Sequence, residues 1–246
     1  HDMRSRIALA PEFTGDKVIG AILFEKTMDR EIGGKPAGQY LWEDSRVVPF
    51  LKVDKGLEDE QDGVKLMKEI GGLDDLLRRA VDAQMFGTKM RSVIDAASES
   101  GIAANVAQQF EVARAIMAHG LVPIIEPEVT ISIADKSQAE DMLRSALIRH
   151  LDALPDHQDV MLKLPLPEPP NQYKALVDHP RVMRVVALSG GYSREEANTR
   201  LARNSGVVAS FSRALTEGLS ADQDDDAFRR TLGATIDSIY NASVTG

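Results

Sequence analysis

The sequence predicts an α/β protein in which parallel strands alternate with helices, wound either as a barrel or as a doubly wound sheet. Three observations predict it. Seven short apolar runs stand out: VIGAILF (18–24), VVPFLKV (47–53), MFGTKMR (85–91), LVPIIEPEV (121–129), VMLKLP (160–165), VMRVVALSG (182–190) and VVASFS (207–212). Most are β-branched and nearly continuous rather than alternating, as in parallel strands covered on both faces. Each interval between them leaves room for a crossover helix.

The intervals read as helical. Val106, Phe110, Ala113 and Met117 form one apolar stripe, and Leu143, Leu147 and Leu151 form another. Phe228, Leu232, Ile236 and Tyr240 line a final helix, which follows the acidic start DQDDD suited to a helix N-terminus. Ser137 with Glu140, and Ser193 with Glu196, match capping boxes. LPEPPNQ (166–172) is a stiff loop, and EDEQDG (58–63) a solvated loop and helix start that lacks the alternating ligands of a calcium loop. No internal repeat or low-complexity linker divides the chain, so residues 1–246 read as one domain. Seven strands are one short of a barrel.

Composition narrows the function. The 246 residues are 43% apolar and 27% charged, as in ordinary globular proteins. There is no Cys, which excludes disulfides, thiolate metal sites and a cysteine nucleophile and suits a reducing, cytoplasmic setting. No apolar run is long enough for a membrane span, and HDMRSRIALAPEF is not a secretory signal. A net charge of −9 argues against a nucleic-acid surface but not against small anionic substrates, which need only a few local cations. The five His residues have no ligand spacing, so no metal is expected.

The chemistry gathers at strand ends. In a barrel, functional residues sit at the C-terminal ends of the strands, where Lys52, Lys89, Arg91, Glu126, Glu128, Lys163 and Ser189 fall. A single lysine there is explained by a snorkelled side chain. Three lysines with two glutamates call for more. Desolvation and neighbouring cations free a lysine amine to attack a carbonyl and form a Schiff base, while a nearby carboxyl such as Glu126 moves protons. LSGGYS (188–193) and SFSRAL (210–215) follow the last two strands, the recurrent phosphate position of barrel enzymes, although a bare turn also explains SGG.

FLKVDKG, GTKMR, VPIIEPEV, VMLKLP, VVALSGGYS and ASFSRAL, in this order, resemble the motifs of class I (Schiff-base) fructose-1,6-bisphosphate aldolases. GAILFEKTMDRE near the start and TIDSIYNAS at the end resemble the shorter bacterial form. The resemblance implies a TIM (β/α)8 barrel that here lacks its first strand. The family places before these motifs a strand ending in an aspartate, and this sequence starts roughly fifty residues later, in line with a count of seven strands. It implies that Lys163 is the Schiff-base lysine, that Glu126 is the general acid/base, and that Glu128 supports the lysine cluster. Lys89 and Arg91 would assist C–C cleavage and bind substrate, and Lys52 would face the hydroxyl chain or the distal phosphate. Ser189, Gly190, Gly191 and Arg213 would hold the dihydroxyacetone-side phosphate, with Ser212 standing where animal relatives use a Gly backbone N–H. The reaction expected is reversible cleavage of fructose 1,6-bisphosphate in glycolysis and gluconeogenesis, with no cofactor. Sugar phosphates are the partners implied, with neither nucleic acid nor membrane, and a homo-oligomer is left open. Another Schiff-base barrel enzyme, or a non-catalytic truncated homologue that binds sugar phosphates, are the alternatives.

Overall fold

The computed structural model describes residues 2–246. All seven apolar runs form strands: β1 (Gly20–Leu23), β2 (Val48–Lys52), β3 (Gly87–Ile94), β4 (Val122–Val129), β5 (Val160–Pro165), β6 (Val182–Leu188) and β7 (Val207–Ala209). They pair in parallel, and every neighbour in the sheet is also a neighbour in sequence. A doubly wound sheet reverses its strand order partway; this one does not, which is the winding of a barrel. Helices α1 (Asp2–Ala8), α2 (Leu73–Asp82), α3 (Glu99–Ala118), α4 (Lys136–Asp152), α5 (Lys174–Val177), α6 (Arg194–Leu201), α7 (Arg213–Thr216) and α8 (Asp225–Thr245) occupy the later intervals and the two ends, while the interval between β1 and β2 holds short helical turns (Glu25–Met28, Ala37–Tyr40, Leu41–Ser45) and a small hairpin. One extra pair, Val64–Lys65, runs antiparallel against the end of β3.

The barrel has one open place. Among the described residues no strand pairs with the outer edge of β1 or of β7. An unpaired edge leaves backbone groups to be satisfied otherwise. At β7, the N–H of Ala209 donates to Ser243 Oγ of α8 at 3.0 Å. On this flank a second apolar cluster forms from Phe13, Leu41, Val47, Phe228, Leu232 and Ile236, with Ala21 and Leu23 of β1 packed against it.

Strand periodicity sorts the side chains onto two faces. Leu51, Met90, Ile125, Leu162 and Leu164 pack in the main core with Phe110, Leu143, Leu147 and Leu151 of the helices. The alternate positions are Lys52, Lys89, Arg91, Glu126, Glu128 and Lys163. Buried polar contacts reinforce this order: Asn105 Nδ2 and Gln109 Nε2 of α3 donate to Val93 O at 3.1 Å and to Ser92 Oγ at 2.9 Å, tying α3 to β3.

Three expectations about the helices need correction. Of the Ser193–Glu196 box the N-cap half is present, Ser193 Oγ accepting from the Glu196 N–H at 3.2 Å, while the Glu196 carboxylate pairs with Arg200. Ser137, however, lies inside α4, whose N-cap is Asp135, and the side chain of Glu140 is used elsewhere. EDEQDG is a loop but no helix start, because α2 begins only at Leu73. Phe228, Leu232 and Ile236 are buried as the stripe requires, whereas Tyr240 is exposed because an i+4 row drifts around a 3.6-residue helix and the buried face passes to Ile239 and Ala242.

Glu140 is fully buried and pairs with the buried Lys136 at 2.6 Å. Burial pushes the Glu140 carboxyl pKa up, and the Lys136 ammonium opposes the rise. Lys136 Nζ also donates to Leu166 O at 2.9 Å, and Glu140 Oε2 accepts from the Glu168 N–H at 3.2 Å. The pair thus anchors the loop that leaves β5. Breaking one partner strands a buried charge, so Glu140→Gln is expected to destabilise the fold by about 3 kcal/mol or more. The double change Lys136→Met with Glu140→Leu should lose distinctly less, as read from denaturant midpoints.

Candidate active site

The site assembles where β2 to β5 end. β3 and β4 pair over eight positions in register, from Gly87↔Val122 to Ile94↔Val129, which fixes Lys89 and Arg91 beside Glu126 and Glu128. Lys89 Nζ lies 2.9 Å from Glu126 Oε2, and Lys163 Nζ lies 3.3 Å from Glu126 Oε1. Arg91 Nε meets Glu128 Oε2 at 2.5 Å. All six polar strand-end residues expected from β2 to β5 therefore fall in one neighbourhood, with Lys52 reaching it through Asp54.

Electrostatics distinguish the lysines. Lys163 is 8% exposed. Burial is the largest influence on its amine and pushes the pKa down; the Glu126 carboxylate opposes the fall and the Lys89 ammonium adds to it. The net direction is toward the neutral, nucleophilic amine. Glu126 is buried, and although Lys89 lies close, its Oε2 accepts no hydrogen bond among the described residues. Its two oxygens thus face different amines, Oε2 toward Lys89 and Oε1 toward Lys163.

Sequence reasoning overlooked Asp54. It is buried, and its carboxylate takes a hydrogen bond from Lys52 Nζ at 2.7 Å and from the Arg91 backbone N–H at 3.1 Å. The available signal was its spacing, two residues beyond Lys52 on a strand continuation, which points both side chains the same way.

The remaining candidates lie at the ends of β6 and β7, in the next two places of the sheet. Gly190 and Gly191 have φ of 63° and 110°, in the left-handed region that favours glycine. A Cβ on Gly190 would lie 2.8 Å from Ile131 Cγ2. Among the described residues the N–H groups of Gly190 and Gly191 donate to no other backbone group, so consecutive donors stay open in a turn able to hold an anion. Ser189 is buried just before them. Ser212 and Arg213 are exposed at the start of α7, and the Arg213 guanidinium has no ion pair among the described residues. None of these five residues bonds to the lysine cluster among the described residues. No group of His, Asp and Glu among the described residues could hold a metal ion. No described helix is long and apolar enough to cross a membrane.

Comparison with known proteins identifies the family. The family model described as fructose-bisphosphate aldolase class-I matches residues 2–168. A Synechocystis protein named fructose-bisphosphate aldolase class 1 is 57% identical over 245 residues, covering 100% of this chain and 82% of the relative. Among solved structures, a Plasmodium falciparum fructose-bisphosphate aldolase, crystallised with TRAP and a small-molecule inhibitor, superimposes with a TM-score of 0.79 at 23% identity. That match covers 99% of this chain and 82% of the other. A Corynebacterium glutamicum protein matches with a TM-score of 0.60 at 16% identity, over 98% of this chain and 75% of its own. At those identities the two structures speak for the fold alone.

Gly190→Ala, which forces a side chain into a left-handed position against Ile131, should lower stability by about 1 to 3 kcal/mol in thermal or denaturant unfolding. An unchanged midpoint would mean that the turn can rebuild itself. The strand-end cluster and the sequence match lead to one assignment: this chain belongs to the class I fructose-bisphosphate aldolase family.

Proposed function

We propose that the protein, working as a single domain, reversibly cleaves fructose 1,6-bisphosphate to dihydroxyacetone phosphate and glyceraldehyde 3-phosphate through a Schiff base on Lys163. The observation that carries the reading is the buried Lys163 amine beside the Glu126 carboxylate at the end of β5, in a chain of this family. The uncharged amine attacks the C2 ketone, and Glu126 serves the proton transfers that expel water and leave the iminium. The iminium draws the electron pair of the C3–C4 bond as it breaks, while the C4 hydroxyl gives up its proton and leaves as the aldehyde. The enamine that remains takes a proton at C3 and is hydrolysed, which releases dihydroxyacetone phosphate and restores the amine. Lys89 steadies the charge that develops during cleavage, and Glu128 orients Arg91 toward the substrate. Lys52 faces the far end of the sugar.

Ser189, Gly190, Gly191, Ser212 and Arg213 receive the phosphate on the dihydroxyacetone side. Two features support this role: the open N–H groups of the glycine turn, and an arginine that has no carboxylate to give up.

Borohydride reduction in the presence of dihydroxyacetone phosphate tests the mechanism. The reduced adduct should map to Lys163 by peptide mass spectrometry, and adduct on Lys52 or Lys89 with Lys163 unmodified would refute it. Lys163→Arg keeps the charge without a nucleophile and should bind substrate but not cleave it. Arg213→Ala should raise KM by about tenfold or more while kcat moves less, the loss expected for one charge-assisted hydrogen bond. A KM equal to that of the parent would remove Arg213 from the phosphate site.

A further inference from the structure

Five titratable groups alternate in sign along the mouth of the barrel: Lys52, Asp54, Lys89, Glu126 and Lys163. The first two links of this chain depend on Asp54. Its Oδ1 accepts from Lys52 Nζ at 2.7 Å, and its Oδ2 accepts from the Arg91 N–H at 3.1 Å and lies 3.6 Å from Lys89 Nζ. The side chain is buried, so its charge is balanced by these neighbours and not by water.

Its place in the sheet is informative too. The register of β2 with β3 ends at Lys52↔Lys89, followed by one more backbone bond, from the Val53 N–H to Lys89 O at 3.0 Å. Asp54 stands one residue further, where strand pairing stops, and bonds across to Arg91 by its side chain. It therefore joins the two strands at the level where their lysines project. Lys89 lies between two carboxylates, Asp54 on one side and Glu126 on the other. Without the first, its charge would be balanced by Glu126 alone, which is also the carboxylate nearest Lys163.

We propose that Asp54 is a positioning residue for the aldol reaction, holding the Lys52 and Lys89 ammoniums across the barrel mouth so that Glu126 remains shared between Lys89 and Lys163. The inference rests on the reading of Lys163 as the Schiff-base lysine. Asp54 acts through its charge as well as its shape. A purely structural carboxylate would only satisfy the Arg91 N–H and the Lys52 ammonium.

The pH dependence of trapping separates these roles. The charged groups bearing on Lys163 are Glu126 and Glu128 from β4 and Lys89 from β3, while its register partner on β6 is the apolar Val186. Asp54 reaches this set through Lys89. The test is the rate of borohydride trapping of dihydroxyacetone phosphate on Lys163 as a function of pH, in the parent protein and in Asp54→Asn, Asp54→Glu and Lys52→Met. Trapping should rise with pH as the amine loses its proton. Asp54→Asn removes an anion and makes the mouth more positive, which disfavours the ammonium, so the rise should move to lower pH by about half a unit or more. Asp54→Glu keeps the charge, so its rise should stay with the parent while turnover falls about tenfold from the displaced lysines. Lys52→Met removes a cation and should move the rise to higher pH. A rise in Asp54→Asn that coincides with the parent, or one in Asp54→Glu that moves as far as in Asp54→Asn, would overturn the proposal. If circular dichroism shows Asp54→Asn unfolded, an unmoved rise in Lys52→Met overturns it instead. Absence of adduct on Lys163 in the parent protein is a different failure, since it would reject the Schiff-base reading itself.

Discussion

Ammonium groups can be buried at the ends of apolar strands only when carboxylates are buried with them, and the mouth of this barrel follows from that constraint. Lys89 and Lys163 are 6% and 8% exposed, and Asp54 and Glu126 are 7% and 3% exposed. None of the four could stand alone there. Their partners are not equally close, however. Lys52 and Lys89 each have a carboxylate oxygen within 3 Å, whereas the nearest oxygen to Lys163 is at 3.3 Å and belongs to a carboxylate that Lys89 approaches more closely. Desolvation therefore prevails over attraction at Lys163, which moves this amine toward its neutral form.

Such a balance depends on tenths of an ångström, and the scaffold supplies them where they are needed. Lys89, Glu126 and Lys163 sit on β3, β4 and β5, the middle of the seven-strand path, and not on β1 or β7 beside the open edges. β3 is held by an eight-position register with β4 and by Asn105 and Gln109 from behind. The loop leaving β5 is held by Lys136 and Glu140. Near the open place, by contrast, the structure relies on apolar cover from α8 and the N-terminal segment, and on a serine hydroxyl at Ala209.

How legible this was in the sequence depends on the range of each interaction. The seven strands could be read because continuous β-branched runs report burial on both faces, a property of each run by itself. The strand-end cations and carboxylates could be read because period-two spacing projects Lys89 with Arg91, and Glu126 with Glu128, onto one face. The capping box at Ser137 was misread because Glu140 meets the motif locally but is claimed by Lys136 and by the Glu168 N–H, a contact across 28 residues. Asp54 went unread for a similar reason. In KVDKG it looks like turn punctuation, and only the pairing of β2 with β3, which are 35 residues or more apart, brings it to Arg91 and Lys89. Its buried surroundings have no local signature.

The two ends of the site handle charge in opposite ways. Around Lys163 every cation is engaged by a carboxylate, so an incoming phosphate there would compete with an existing ion pair; freeing Arg91, for instance, would mean separating it from Glu128. At the ends of β6 and β7 the donors are uncommitted. The N–H groups of Gly190 and Gly191 donate to no backbone acceptor, and Arg213 has no ion pair, among the described residues. The neighbouring Arg200, in contrast, is held by Glu196 and Glu168. An anion can therefore settle at this end without displacing an internal partner. Charges are thus balanced on the middle strands, while donors are left uncommitted at the ends of the last two.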